Sequence, residues 1–321
     1  MDNLPSALLN PDNITKEIAE ELSLGRLRQV DQLPSKYYCS PIGLTPKRKE
    51  GIQTGWRRIF HLSSPDGDSV NDHIPKEYGT LAYETFRDAV KSIAKSGKGS
   101  ILLKRDLKAA FRKIPVCKED QWLLLFEWAG HYYQELFLPF GLPTAPFIFN
   151  LFREALRWIL QRKYAYTTRR YLDDFLLVLP PRSPIEEHSA RFQSICKQLG
   201  FAEAQDKKED GTCVHYLGLI LDIEKMEARV PEEKINQAIA DINQILEYTF
   251  IPMKKLQELL GLLEFCVAVF PIGHPFLRHV WNTFCRPEKK TKKLSKAARQ
   301  NLRWWKKFLP IWSSTSVIQS E

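Results

Sequence analysis

Residues 169–180 read RRYLDDFLLVLP, and this stretch decides the fold. Two apolar strand halves flank the pair Asp173-Asp174, and Pro180-Pro181 closes the second half. Only a tight turn places both carboxylates at one sheet edge, where like charges repel unless cations neutralise them. Taken alone, Tyr171-Leu172-Asp173-Asp174 reads equally well as a solvated β-turn. A third carboxylate separates the two readings. Asp106 ends the apolar run Ile101-Leu102-Leu103, so its strand can lie beside the Tyr171 hairpin in one sheet. Three aspartates from neighbouring strands can hold two Mg²⁺ ions about 4 Å apart, which activates an attacking hydroxyl and steadies a leaving pyrophosphate. The competing reading of Asp106 is a helix cap, with Leu107 opening the next turn.

Outward from this stretch the chain alternates helical and extended texture. Residues 13–30 carry Ile14, Ile18, Leu22 and Leu27 near the helical period, with Asn13 as N-cap. From Leu33 to Asp72, proline, glycine and serine punctuate short extended pieces. Residues 83–97 are again helical and end at a glycine. Residues 121–127 and 131–138 are apolar, aromatic runs separated by Ala129-Gly130, a hairpin signal. A helix is expected from about Phe147 to Arg162 and another from Ile185 to Leu199, followed by a strand over VHYLGLILDI (214–223). Beyond Pro231 the pattern is helical. Strand, helix, hairpin, helix, strand is the order of a split βαβ sheet, and the layout is α+β.

The 321 residues, 44% hydrophobic, suffice for two or three subdomains. A net charge of +9 favours a polyanionic partner, because neutralised phosphates release counterions. The six cysteines are scattered, with no spacing of a zinc site or redox dithiol, and read as small buried hydrophobes in a reducing compartment. No apolar run approaches the roughly 20 residues of a membrane helix, and MDNLPSALLN has no signal-peptide pattern. The expectation is an intracellular protein of cytoplasm or nucleus, with no membrane partner.

Three blocks in order resemble the reverse transcriptase family: LKRDLKAAF (103–111), LPFGLPTAPFIFN (138–150) and YLDDFLLV (171–178). The resemblance spans about residues 20–312. It implies a right-hand polymerase: an N-terminal helical extension (1–32), fingers (33–100), a palm (101–230) with a fingers insertion near 112–140, and a helical thumb (231–286). Residues 287–321 then start a connection segment without a ribonuclease H domain. It implies an RNA-directed DNA polymerase acting on RNA and DNA template-primer with dNTP substrates. Asp106, Asp173 and Asp174 would be the catalytic metal ligands for two Mg²⁺ ions, with Mn²⁺ as substitute.

Further residues take implied roles. Arg57 and Lys49 resemble the fingers cations that meet the triphosphate. Phe111 resembles the aromatic that excludes a 2′-hydroxyl, and its bland alternative is core packing. Phe140, Gly141 and Tyr171 fall in nucleotide-binding blocks, Pro146 in the template block. Asp206-Lys207-Lys208 resembles the segment that brings a lysine to the pyrophosphate. Lys208 is taken as that proton donor, and Lys207 remains open. Leu217 and Gly218 resemble the hairpin under the primer terminus. Lys254, Lys255, Arg278 and His279 are candidate duplex-backbone contacts that read as readily as solvated surface. Phe140 departs from the glutamine of many retroviral enzymes. With SPIGL (40–44), HLSSP (61–65), SVND (69–72) and PFLR (275–278) it resembles tyrosine-recombinase retrotransposons of the DIRS or Ngaro type, which leaves room for a separate ribonuclease H and recombinase of the same element. Two alternatives stay open: a catalytically silent retroelement-derived nucleic-acid-binding scaffold, and an RNA-templated RNA polymerase, against which Phe111 argues.

Overall fold

The computed structural model describes residues 2–49, 52–171, 174–285, 291–312 and 315–318, with backbone only at 48, 49, 52, 315 and 317. The chain divides into two compact units, each discontinuous in sequence: residues 1–83, 107–159 and 193–203, and residues 84–106, 160–192 and 204–321.

The first unit is built on two antiparallel sheets and an N-terminal helix. That helix runs Pro11–Ser23 and buries Ile14 and Ile18. The expected continuation to residue 30 is corrected. Gly25 takes φ +65°, and Leu27–Val30 becomes a strand paired with His131–Glu135. Leu27 continues the apolar spacing only because it is buried on the same core from a strand. The strand expected over 121–127 starts only at Leu125, since Lys118–Leu123 winds into a 3-10 helix. Ala129 and Gly130, both at positive φ, form the hairpin turn that the sequence signalled. A second hairpin joins Ile42–Lys49 to Ile52–Phe60, with a register irregularity between Lys47 and Arg48. Ile14, Ile42, Phe60, Phe126 and Tyr133 form the core.

The second unit carries the site's carboxylates. Its central sheet has the antiparallel order Thr167–Tyr171, Asp174–Leu179, Ile101–Asp106, Glu209–Gly211. Asp106 is therefore the last residue of a central strand, and the helix-cap reading is set aside. Leu102, Leu176 and Val178 join the core beneath this sheet together with helix Phe86–Ser96. The extended run over 214–223 is a hairpin, Cys213–Tyr216 with Leu219–Asp222, rather than one strand, because Leu217 and Gly218 both take positive φ. Helices Glu232–Glu247 and Met253–Val269 follow. The latter buries the expected stripe Leu256, Leu259, Leu260 and Leu263. Helix Lys296–Phe308 buries Trp305 in the same core. Among the described residues no helix is long and apolar enough to cross a membrane.

Candidate active site

Antiparallel pairing sets the carboxylate geometry. Strand Ile101–Asp106 and strand Asp174–Leu179 pair from Ile101 opposite Leu179 to Asp106 opposite Asp174, so two aspartates meet at one end of adjacent strands. Tyr171 pairs with Asp174 across the neighbouring strand and is exposed. Asp173, with Leu172, lies outside the described residues. Asp106 is only 4% exposed, and Asp174 is half-buried. A carboxylate so buried needs a compensating cation. Lys207 Nζ supplies one, donating to Asp106 Oδ2 at 2.7 Å, while the Asp106 carbonyl accepts from Ala204 N at 2.8 Å.

The two adjacent lysines divide between different carboxylates. Both belong to the short segment around the 3-10 turn Gln205–Lys207. Lys207 reaches Asp106, whereas Lys208 lies 3.5 Å from Asp210 Oδ2. Asp210 is also bound by the fully buried Arg105, through both guanidinium nitrogens. The charges at this sheet end thus form two clusters, Lys207 with Asp106, and Arg105 and Lys208 with Asp210. Of the two lysines the sequence left open, Lys207 is the one beside Asp106.

The donor chemistry suits a hard divalent cation. Asp106 and Asp174 offer oxygen donors only, as Mg²⁺ prefers, and among the described residues no thiolate or imidazole gathers with them. Among the described residues no group of three metal-ligating side chains gathers, the third expected ligand being Asp173.

The first unit gathers a second set. Arg57 is exposed, and its guanidinium lies over the Phe140 ring at 5.3 Å. Phe140 meets Phe111 edge-on at 5.6 Å, and Phe111 in turn meets the buried Phe149 at 5.5 Å. Gly141 follows at φ +104°, and a Cβ there would fall 2.3 Å from the Phe60 carbonyl oxygen. No other residue fits that approach. Asn71 Nδ2 donates to the Gly141 carbonyl at 3.0 Å and to Ser63 Oγ at 2.7 Å, which fixes the turn from outside. Pro146 stands in the first turn of helix Thr144–Tyr164, where its missing N–H costs no helical bond. The Lys49 side chain lies outside the described residues.

The remaining candidate residues lie in the second unit. Leu217-Gly218 is the hairpin turn, and a Cβ on Gly218 would press on the Phe265 ring at 3.2 Å. Lys254 is exposed, while Lys255 donates to Gln244 Oε1 at 3.0 Å.

The sequence offered Asn71 only as part of SVND (69–72), and its reading passed over a buried ionic network in the first unit. Glu135, 1% exposed, accepts from Arg58 Nη2 at 2.7 Å and Arg112 Nη1 at 2.5 Å. Arg58 also binds Glu17 at 2.5 Å, and Arg112 binds Glu21. Burial raises the Glu17 carboxyl above its ordinary value despite Arg58. At Glu21, where burial also acts upward, the Arg112 guanidinium wins and holds the carboxyl low. The available signal was a lone acid in the apolar run HYYQELFL (131–138).

Comparison with known proteins places this architecture. Of solved structures, the foamy viral protease-reverse transcriptase in complex with RNA/DNA hybrid is similar at a TM-score of 0.70 and 18% identity, covering 97% of this chain and 38% of that one. The foamy viral protease-reverse transcriptase dRH in complex with double-stranded DNA gives 0.68 and 19%, covering 96% and 49%. These likenesses show the right-hand polymerase fold. Among sequences, Protein P of duck hepatitis B virus (isolate brown Shanghai duck S5) is 26% identical over 162 residues, 50% of this chain and 20% of that protein. Polyprotein P3 of Commelina yellow mottle virus is 28% identical over 189 residues, 57% of this chain and 9% of that one. The chain thus spans about a fifth or less of the length of these relatives. The family described as Reverse transcriptase (RNA-dependent DNA polymerase) matches residues 47–221, more than half of the chain. On that match, and with the paired aspartates where the fold places them, the chain belongs to the reverse transcriptase family.

Proposed function

We propose that this chain is the polymerase core of an RNA-directed DNA polymerase, which adds deoxynucleotides from dNTPs to a primer 3′-hydroxyl on an RNA or DNA template. The observation that carries the reading is Asp106 opposite Asp174 at the end of two central strands, in a chain of this family. Asp106, Asp174 and Asp173 would hold two Mg²⁺ ions, with Mn²⁺ as substitute. When bound, such ions supply the charge that sharpens an attacking hydroxyl and steadies a leaving pyrophosphate.

The chain's own residues do the rest. Arg57, exposed and braced on Phe140, meets the triphosphate, where a planar guanidinium can bind two oxygens at once. Phe111, held in place by edge-on contacts with Phe140 and Phe149, is the ring that would exclude a 2′-hydroxyl. Lys207 Nζ donates a proton to the leaving pyrophosphate oxygen. Gly218 lets the hairpin backbone approach the primer terminus. Blocks at 40–44, 61–65, 69–72 and 275–278 support assignment to the DIRS or Ngaro type of element. The six cysteines carry no disulfide, which supports an intracellular setting.

Primer extension on poly(rA) with an oligo(dT) primer, dTTP and Mg²⁺ tests the reading. Asp106→Asn and Asp173→Asn should each lower extension at least about 10²-fold, as loss of charge stabilisation does. A folded wild-type protein that extends nothing with Mg²⁺ or Mn²⁺, yet binds template-primer, would make the chain a silent scaffold instead.

A further inference from the structure

Arg57 and Arg58 are neighbours in one strand and face opposite ways. Arg57 is exposed, and Arg58 is buried. The same split occurs at Phe111 and Arg112, where the ring faces Phe140 and the guanidinium is buried. The two buried arginines converge on one carboxylate. Glu135 accepts from Arg58 with Oε1 and from Arg112 with Oε2, one oxygen for each. Glu135 thus holds the two residues that adjoin Arg57 and Phe111 in the chain, one peptide unit from each.

The same pair of segments is tied a second time on the other side. Phe140 carries the Arg57 guanidinium on its face and meets the Phe111 ring with its edge. A strand of the Ile52–Phe60 hairpin and the 3-10 turn Phe111–Lys113 are thereby closed between an aromatic tie and an ionic one. A carboxylate bound by two guanidiniums and 1% exposed cannot rotate without leaving a buried charge unpaired, so the ionic tie is the stiff one. Of the two arginines on Glu135, Glu17 binds Arg58 alone and Glu21 binds Arg112 alone, Glu21 accepting in addition from Arg26 Nη1 at 3.1 Å.

We propose that Glu135 is a positioning residue that sets Arg57 and Phe111 relative to each other, and so couples affinity for the incoming nucleotide to selection of its sugar. The proposal rests on the roles given to Arg57 and Phe111 above. It does not make Glu135 a catalytic residue, because Glu135 touches neither substrate nor reacting atoms.

Single-nucleotide incorporation on a defined template, with dNTP and rNTP, tests it. Glu135→Gln keeps shape and removes charge, and each arginine retains its other carboxylate, so the variant is expected to fold. It should raise the dNTP KM about tenfold at nearly constant kcat, the scale of loss from sub-ångström misplacement, and lower discrimination against rNTPs together with it. Glu17→Gln should raise KM and leave discrimination intact, and Glu21→Gln should do the reverse. Arg57→Ala and Phe111→Val give the limits of each effect. A merely structural role would lower Tm in all three variants and move neither KM nor discrimination selectively. If Glu135→Gln fails to fold, Glu17→Gln and Glu21→Gln still decide through their opposite signatures, with Arg26→Ala as the control for the second contact of Glu21. Unchanged KM and discrimination in an active Glu135→Gln protein, or the same change in all three variants, would overturn the proposal alone. A wild-type chain without metal-dependent extension would instead overturn the polymerase reading, and this proposal with it.

Discussion

Lys207 and Lys208 share a turn yet hold different carboxylates, Asp106 and Asp210. A proton donor must stand where the proton is needed, so geometry favours Lys207 over its neighbour. Lys207→Ala should lower kcat for single-nucleotide incorporation by about 10²-fold, within the usual range for loss of a general acid. Lys208→Ala should stay near wild type, and the opposite ranking would reassign the donor to Lys208. The meeting of Asp106 and Asp174 was legible in sequence because a strand-ending acid and an acid at a hairpin turn leave few ways to pair. The lysines were not, since the last residue of a short turn and its neighbour carry no periodicity to separate them. Glu135 was illegible for a related reason: a charged letter in an apolar run signals burial but does not name its partners, which come from residues 58 and 112.

Helix Phe86–Ser96 underlies the central sheet and begins with a reciprocal cap. The backbone N–H of Thr85 donates to Asp88 Oδ2 at 2.7 Å and its hydroxyl at 2.8 Å, and both bonds hold the Asp88 carboxyl below its ordinary value. A depressed carboxylate pKa stabilises the fold above the unfolded value and loses that contribution as pH falls through the folded one. The cap should therefore act fully at neutral pH and fade below the ordinary aspartate value of 3.8. Thr85→Ala should cost about 1 kcal/mol in urea unfolding at pH 7. Asp88→Asn should destabilise at pH 7 and match wild type increasingly well in acid, and a pH-independent difference would remove the cap from the account. This helix was readable from its period and terminal glycine. The N-terminal helix was misread beyond Ser23 because Leu27 keeps the apolar spacing while Gly25 has already turned the chain into a strand. Apolar spacing reports burial, and two element types can bury the same position.

For the whole molecule, a formal charge of +9 is spread over a fold whose relatives include solved complexes with nucleic acid. Binding of an RNA/DNA hybrid should weaken linearly with the logarithm of salt concentration. Lys254→Ala, at an exposed position on helix Met253–Val269, should reduce that slope by about 1 without altering preference among sequences. Fluorescence titration across salt would measure it, and an unchanged slope would take Lys254 out of the interface. The α+β class was legible because the order of extended and helical texture survives errors at single boundaries. The discontinuous composition of the compact units was not, because it depends on contacts between segments far apart in sequence. One descent-level consequence follows from the opposed Arg57 and Arg58. Since successive strand residues face opposite sides, inserting or deleting a single residue between Arg58 and Phe60 would turn both arginines the wrong way relative to Phe60, and one inserted between Arg57 and Arg58 would put the two on the same side. Length changes in lineages of this gene should therefore be tolerated at the hairpin tip and purged from the strand, so that heredity keeps the arginine doublet in step with Phe60 even where neighbouring letters drift.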